Sequence, residues 1–449
     1  MKIRTDSISI VGLGKLGLPL AAVFADSGYK TFGIDINKSV VDSINQGVSP
    51  IIENGLDVLI NKFGGKSLQA SVDFNNAIIE SDVTYILTAT PSMDDGSFSN
   101  EQIESALKEL AKCLAKNDKK HHLFVISSTV MPGSITKSFI PLIEKYSNKK
   151  LNNGFFVAYC PDTVALGEVI NGFQNPDFVI IGQSDDKAGL IVKEIHERIT
   201  KNNPPIKCIS IASAEIAKVA LNAYLTMKIS FANNLANISE KVPGSDVDDI
   251  TSTIGLDKRI SPYYFKGGMS FGGTCFPRDT FAFNRLSKDV GISTELFNAV
   301  TKINDYQNQH LLELVLTEIE NKKQKIVTIL GMSFKVGTPV IEESVGVKLV
   351  KNLLNYDSSI KVIAVDPLSL NNCKKLFNDN IKYSRNTLES LENPDIVILI
   401  NNDKDFIQAI DNYDPDHNVT IIDCWRLLDT KNLNANVKII SWGTYIGDQ

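Results

Sequence analysis

The sequence predicts an α/β protein with two parallel-sheet units, joined by a long central helix and a helical middle region. Three observations carry this. Short runs dense in Val and Ile alternate with helical stretches over residues 7–211. The next 31 residues, 212–242, contain no Gly and no Pro. The strand–helix alternation then restarts near residue 326.

In the first region the strand-like runs are 7–12, 30–35, 83–88, 123–127, 155–159, 178–182 and 206–211. They are almost continuously apolar, as strands buried on both faces are. Helical stretches between them imply βαβ crossovers and an open parallel sheet. A helix over 212–242 would span about 45 Å at 1.5 Å per residue, and Pro243 and Gly244 end it. Such a rod can join two domains, and its apolar sides can meet a partner subunit. Residues 245–310 read as further helices, interrupted by the loop 266–279, Lys-Gly-Gly-Met-Ser-Phe-Gly-Gly-Thr-Cys-Phe-Pro-Arg-Asp. The charged segment 321–325 marks a linker edge. Runs at 326–330, 361–366, 395–400 and 420–423 then build a second, smaller parallel α/β unit. The expected domains are 1–211, 212–310 and 320–449.

At 449 residues the chain exceeds one ordinary core. With 43% hydrophobic and 22% charged residues it matches globular averages, which excludes a disordered or fibrous class. A net charge of −6 argues against a general nucleic-acid binder, which needs a basic surface. It still permits a small anionic ligand in a locally basic pocket. No apolar stretch approaches the ~20 residues of a bilayer span, and residues 1–9 lack a signal-peptide profile. Cys113, Cys160, Cys208, Cys275, Cys373 and Cys424 are scattered with no CxxC spacing, so neither a zinc site nor a disulfide framework is expected. These features predict a cytoplasmic protein with reduced thiols and no membrane or nucleic-acid partner. The five His are isolated or lie in polar stretches, and none is assigned to metal or catalysis.

Gly12-Leu13-Gly14-Lys15-Leu16-Gly17 follows the first strand-like run and opens an Ala/Leu-rich helix. The first glycine permits the tight turn, the second lets a pyrophosphate approach the backbone, and the third lets helix and strand pack closely. The helix N-terminus adds N–H donors and a positive dipole end. The next run ends in Asp35, 18 residues after Gly17. A carboxylate there accepts bonds from both ribose hydroxyls and repels a 2′-phosphate, which favours NAD over NADP. A glycine turn that only packs a helix on a sheet is the competing reading. Thr90 and Pro91, with Ser128 and Thr129, sit at strand C-terminal ends, where open α/β sheets bind ligands.

Cys275 lies beside glycines, which give a bulky ligand room. Arg278 would favour its thiolate, so it can serve as a covalent nucleophile. Asp279 is one turn away if a helix starts at Pro277. A small buried hydrophobe is the alternative for any Cys. Glu215, Lys218 and Asn222, spaced i, i+3 and i+7, share one face of the long helix. They form either a solvated stripe or groups that orient a substrate or a water, and periodicity does not choose. Asp162, in Tyr159-Cys-Pro-Asp162, puts a carboxylate at a strand end, with a helix N-cap as its alternative role. Lys335, in Gly331-Met-Ser-Phe-Lys335, can meet a phosphate or sugar, or be a surface lysine.

Together these motifs resemble the UDP-glucose/GDP-mannose dehydrogenase family over roughly residues 7–370. The order is GxGxxG with an Asp, Thr-Pro-Ser-Met-Asp-Asp-Gly, Ser-Thr-Val, Cys-Pro-Asp, Ala-Glu-Ile-Ala-Lys…Asn, Phe-Gly-Gly-Thr-Cys-Phe-Pro-Arg-Asp and Leu-Gly-Met-Ser-Phe-Lys. The resemblance implies two Rossmann-like domains joined by a long helix that mediates dimerisation. It also implies NAD-dependent oxidation of a nucleotide-sugar C6 alcohol to a carboxylate, consuming two NAD. Cys275 would hold the aldehyde as a thiohemiacetal and then the acid as a thioester. Lys218 matches the lysine that stabilises the C6 oxyanion, and Asn222 the amide beside it. Asp279 matches the carboxylate that orders the hydrolytic water, and Thr129 a neighbour of that water and of the nicotinamide. Lys335, with Phe271 and Gly272, is placed on the substrate side. Arg259 matches an arginine reaching the nucleotide sugar from a neighbouring subunit.

Three departures stand out. Cys160-Pro161-Asp162 replaces Asn-Pro-Glu, so a base at Asp162 is one methylene shorter. Glu342-Glu343-Ser344 replaces Arg-Glu-Ser and removes a cation. Asp423-Cys424-Trp425-Arg426 replaces Asp-Gly-Arg and shifts the guanidinium by one position. The leading substrate is UDP-glucose, followed by UDP-N-acetylhexosamines (mannosamine or galactosamine) and GDP-mannose. A two-electron 6-phosphogluconate or hydroxyacid dehydrogenase and a catalytically silent NAD-binding scaffold are the competing functions.

Overall fold

The structure, a computed structural model, describes residues 5–117, 119–320, 322, 324–429 and 434–445. Two residues of the expected linker edge, 321 and 323, lie outside the described residues. The chain divides into two compact units, Met1–Ala220 and Leu221–Gln449. Helical residues after 220 and the second sheet form one unit.

The first unit carries β1 (Ser7–Val11), β2 (Lys30–Ile34), β3 (Leu68–Ser71), β4 (Val83–Ile86), β5 (Leu123–Ile126), β6 (Lys150–Leu151), β7 (Gly154–Tyr159), β8 (Val179–Gln183) and β9 (Ile206–Ser210). Their order is β3-β2-β1-β4-β5-β7-β8-β9, with β6 beside β7. Alternation explains the apolar runs. Ile8, Ile10, Leu123 and Val125 enter one core, while Val11, Phe124 and Ile126 enter the core on the opposite face. Both faces are covered, so neither can be polar. The expectation of an all-parallel sheet fails at one pair: β7 and β8 are antiparallel, through Ala158–Gln183 and Tyr159–Gly182. Between them the chain forms only the short helix Val169–Gln174. It returns alongside β7 without a helix crossing the sheet, and antiparallel neighbours need no such crossover.

The second unit carries β10 (Ile326–Leu330), β11 (Lys361–Val365), β12 (Lys382–Ser384), β13 (Ile396–Leu399), β14 (Val419–Asp423) and β15 (Val437–Ser441). All its pairs are parallel, in the order β12-β11-β10-β13-β14-β15. That is the doubly wound order, with its topological switch between β10 and β13, as the first sheet has between β1 and β4. Ile396 and Ile398 face one core, and Val397 and Leu399 the other.

The predicted central helix is present as Ile211–Ser239, one continuous 29-residue helix. Val247–Gly255, Phe276–Asp289 and Glu295–Ile319 supply further helices. Among the described residues no helix is long and apolar enough to cross a membrane.

Candidate active site

In the first unit the turn after β1 is built for a close approach. Gly12 has φ +94°, and a Cβ there would lie 2.4 Å from the Leu87 carbonyl oxygen. A Cβ on Gly17 would lie 1.8 Å from the Gly12 carbonyl oxygen, so only glycine lets helix and turn meet. Gly14 has nothing within 4 Å of its Cβ position and leaves the turn open on that side. The helix Gly17–Asp26 starts after Leu16 with no side chain capping it. Leu18 already donates to the Gly14 carbonyl at 3.1 Å and Pro19 has no N–H, so the donors left for an anion are those of Leu16 and Gly17. Asp35 accepts from the Leu13 N–H at 2.8 Å through Oδ2 and from the Asn37 N–H at 2.9 Å through Oδ1. A carboxylate accepts up to about four bonds, so each oxygen retains a lone pair for a ribose hydroxyl. The residues fit an adenine dinucleotide.

Beyond the switch point, Thr90 Oγ1 donates to the Thr129 carbonyl at 2.8 Å, and Ser128 Oγ to the Thr88 carbonyl at 2.7 Å. These bonds tie together the segments that follow β4 and β5. Pro91, next in the chain, is exposed. Glu215 is fully buried and accepts from the Gly133 N–H at 2.7 Å and the Ile135 N–H at 3.0 Å, while burial raises its carboxyl above the usual range. Lys218 is only 6% exposed and Asn222 only 9%. The three polar residues of the long helix are therefore turned inward, which removes the solvated-stripe reading. Among the described residues Lys218 has no ion-pair partner. A buried ammonium without a counter-charge is costly unless an anion comes to it.

In the second unit Cys275 stands exposed at the start of the helix Phe276–Asp289, with Pro277 in its first turn. The dipole of that helix stabilises negative charge where the thiol sits. Thr274 Oγ1 is 3.5 Å from Cys275 Sγ. One turn on, Asp279 donates its N–H to the Cys275 carbonyl at 2.8 Å, and its buried carboxylate accepts from Asn222 Nδ2 at 2.7 Å. Arg278 Nε is 4.0 Å from Asp279 Oδ1. Cys275, Asp279 and Asn222 thus share one unit.

The glycines before the thiol serve close packing rather than an open berth. A Cβ on Gly272 would lie 2.2 Å from the Glu343 carbonyl oxygen, and one on Gly273 2.5 Å from the Phe334 ring. Gly273 also donates to the Glu342 carbonyl at 3.1 Å. Residues 334–343, where the family resemblance loses an arginine, are the surface on which the Cys loop rests. Phe271 is buried, Gly272 is half-buried, and Lys335, next to Phe334 on that second loop, is exposed.

Arg259 is exposed and pairs with Asp257, Nε to Oδ1 at 3.0 Å and a terminal nitrogen to Oδ2 at 2.6 Å. Arg426 is buried instead. It bonds Asp248 at 2.8 and 2.9 Å, the Gly267 carbonyl at 2.7 Å and the Trp442 carbonyl at 2.6 Å, so it braces the start of the Cys loop. Asp162 lies half-buried in the irregular stretch after β7. It caps no helix, because the next one begins at Val169 with Glu168 at its N-cap.

Two arrangements escaped the sequence reading. The turn after β10 repeats the one after β1: Gly331, φ +108°, is followed by N–H bonds from Met332 and Ser333 to Asp366 Oδ2 at 3.0 and 2.9 Å. Asp366 Oδ1 takes Leu368 and Ser369 as well, and Asn401 fills the space over Gly331. Asn233 and Asn304, buried in long helices, bond the Cys loop backbone. Asn is a poor residue for a helix interior, but polar neighbours such as Asn234, Asp305 and Asn308 make both look like ordinary surface positions.

Three family models match in chain order. The UDP-glucose/GDP-mannose dehydrogenase family's NAD binding domain matches residues 6–200, its central domain 212–306, and its UDP binding domain 328–430. The UDP-glucose 6-dehydrogenase AglM of Haloferax volcanii is 34% identical over 423 residues, covering 94% of this chain and 97% of its own. A GDP-mannose 6-dehydrogenase of Pseudomonas putida is 32% identical, covering 89% of this chain and 92% of its own. Among solved structures, a UDP-glucose dehydrogenase from Pyrobaculum islandicum superposes with a TM-score of 0.88 at 26% identity, over 99% of this chain and 100% of that one. The chain therefore belongs to the UDP-glucose/GDP-mannose dehydrogenase family and is an NAD-dependent nucleotide-sugar dehydrogenase.

Proposed function

We propose that the chain oxidises the C6 alcohol of UDP-glucose to the carboxylate, giving UDP-glucuronate. The observation that carries this reading is the grouping of an exposed Cys275 at a helix start with a buried Asp279 held by Asn222. A two-electron dehydrogenase needs no such thiol. The relative from Haloferax volcanii, a UDP-glucose 6-dehydrogenase, supports the choice of sugar.

NAD, when bound, supplies the oxidising power by accepting a hydride from C6 in each of two rounds. The turn Gly12, Leu13, Gly14, Leu16 and Gly17 would hold its pyrophosphate, with the N–H groups of Leu16 and Gly17 as donors, Asp35 its ribose, and Thr90, Pro91, Ser128 and Thr129 its nicotinamide side. Cys275 Sγ adds to the C6 aldehyde carbon, and the proton passes to the carbonyl oxygen. That keeps the aldehyde from escaping. After the second oxidation the carbon is a thioester. Water adds to it, the C–S bond breaks, and the thiolate leaves as the carboxylate forms. The balance is one alcohol, one water and two NAD⁺ to one carboxylate, two NADH and three protons.

Lys218 offers its ammonium to the oxygen that becomes negative at C6, a contribution of roughly 3 kcal/mol for one donor in a dry site. Asn222 and Asp279 orient the hydrolytic water, with Thr129 beside it. Asp162 is a second carboxylate candidate for that step. Phe271, Gly272 and Lys335 line the sugar-nucleotide side. The functional unit is a homodimer or larger: Tyr224, Phe231 and Ile238 are exposed at seven-residue spacing on the long helix, an apolar stripe suited to a second copy. Arg259, still more exposed, would reach the neighbour's nucleotide sugar. The scattered cysteines, with no CxxC spacing, are the ground for proposing a reducing, cytoplasmic setting.

NADH formation by the purified chain with UDP-glucose, UDP-N-acetylmannosamine, UDP-N-acetylgalactosamine and GDP-mannose tests the substrate. The highest kcat/KM belongs to UDP-glucose. A higher value for another sugar moves the assignment to it. No turnover with any, together with a Cys275 inert to iodoacetamide, supports the silent scaffold instead.

A further inference from the structure

The segment 266–275 holds the nucleophile but belongs to no helix or strand. Four of its residues are glycines, Gly267, Gly268, Gly272 and Gly273, so its own backbone resists bending very little. Residues 267–271 are nevertheless buried, and buried peptide groups must find partners.

Two side-chain amides supply them. Asn233, fully buried on the helix Ile211–Ser239, accepts from the Gly268 N–H at 2.8 Å and donates to the Met269 carbonyl at 3.1 Å. Asn304, 5% exposed on the helix Glu295–Ile319, accepts from the Phe271 N–H at 2.8 Å and donates to the Phe271 carbonyl at 3.1 Å. Each amide presents one donor face and one acceptor face, as a peptide group does. Together they act as a missing β-ladder for a loop without one. Asn308 extends the row, accepting from Ser270 Oγ at 2.7 Å and donating to the Asn304 carbonyl at 3.2 Å. Residues 272–274 are all that separates this clamp from the thiol.

We propose that Asn233 and Asn304 are positioning residues for Cys275, whose amides fix the height and direction from which the thiol leaves the loop. The inference rests on the nucleophilic role given to Cys275 above. Leu or Val would fill the same buried volume with better helix propensity or packing, but neither can satisfy both a loop N–H and a loop carbonyl.

The test uses the full chain carrying Asn304→Asp, Asn304→Ala or Asn233→Asp. The Asp variants keep the acceptor and size of the amide and lose the donor. Three quantities are read: thermal midpoint, kcat and KM for NAD with the nucleotide sugar, and the rate at which iodoacetamide alkylates Cys275, followed by mass spectrometry. A misplacement of about 1 Å costs on the order of 100-fold in rate. Asn304→Ala should therefore lose about that much kcat, and Asn304→Asp less, with KM for NAD within about twofold, as expected of a displaced reacting group rather than lost binding. The alkylation rate of Cys275 should shift several-fold in the same order. A merely structural role would lower the thermal midpoint yet leave the kcat and alkylation rate of the folded fraction at the wild-type level, and that result overturns the proposal. If Asn304→Ala does not fold, the alkylation rates of the two Asp variants decide alone. Alkylation needs no substrate, so the clamp is judged even if no nucleotide sugar turns over.

Discussion

Asn222 Nδ2 donates to Asp279 Oδ2 at 2.7 Å, and both side chains are buried. The bond joins the long helix to the helix that begins after Cys275, and a second link, Thr226 Oγ1 to Thr280 Oγ1 at 2.8 Å, runs parallel to it. Taking away the amide withdraws a partner from a buried carboxylate, which costs about 1–3 kcal/mol. Asn222→Ala, Asp279→Asn and the double variant, compared by urea unfolding, should show a coupling of at least about 0.5 kcal/mol. Additivity would mean that the pair is not energetically joined. In turnover, Asn222→Ala should accumulate covalently modified Cys275, because the proposed water step runs through this pair.

Asp35 does two jobs at once, holding two backbone N–H groups and offering its remaining lone pairs outward. Asp35→Ala should raise KM for NAD at least tenfold, about 1.4 kcal/mol, and narrow the preference over NADP. An unchanged cofactor ratio in steady-state kinetics would remove Asp35 from the ribose.

Lys218 is turned inward without an ion-pair partner among the described residues. Its proposed counter-charge forms only as C6 reacts. Lys218→Met should therefore lower kcat by about two orders of magnitude or more, with a much smaller change in KM. A variant changed only in KM would make Lys218 a binding residue.

Cys160 Sγ and His196 Nε2 lie 3.2 Å apart in the interior of the first unit. Burial pushes the His196 imidazole down to about 4 and the Cys160 thiol well up. The unfolded chain takes that proton near 6.5. Between these values the unfolded state binds more protons, so stability is lost as pH falls from about 6.5 towards 4, by about 3 kcal/mol in all. Burial shifts the fully buried His122 in the same direction. His196→Gln should flatten the dependence of the urea midpoint on pH across this window. An unaltered slope would mean that another group governs it.

The strands buried on both faces were legible, because β4, β5, β7, β13 and β14 have no polar face to break their apolar runs. The strands missed, β3, β6, β12 and β15, are short or lie at a sheet edge, with mixed exposure: Gln69, Lys382 and Lys438 interrupt them. An edge strand pairs on one side only, so its sequence is constrained less. The site was read unevenly for a related reason. Gly12, Asp35 and Cys275 announce themselves by residue type and spacing. The inward turn of Glu215, Lys218 and Asn222 depends on what covers the helix, which spacing does not encode. Gly272 and Gly273 suggest room for a bulky ligand, but what fills that room is the protein's own loop at Phe334 and Glu343. Asn233 and Asn304 act on peptide groups far along the chain, and no local pattern reports such a partner.

Lys228 shows the same long reach. Its ammonium bonds the carbonyls of Ile260, Ser261 and Tyr263 at 2.8, 2.8 and 2.6 Å, and burial lowers its pKa. Ser261 and Tyr264 both hold left-handed backbone, φ +67° and +57°, a strain that persists only where surrounding contacts enforce it. Lys228→Ala should hasten proteolytic cleavage at residues 259–265 while leaving cleavage elsewhere unchanged. Equal protection in variant and wild type would show that the ammonium does not hold this loop.

Product stoichiometry tests the covalent four-electron scheme most directly. Wild-type chain supplied with UDP-glucose and excess NAD should yield two NADH for each UDP-glucuronate, counted by absorbance and by mass spectrometry in one reaction. Cys275→Ser in the same assay should yield no uronate. One NADH per product, or uronate formed by Cys275→Ser at a near-normal rate, contradicts the account.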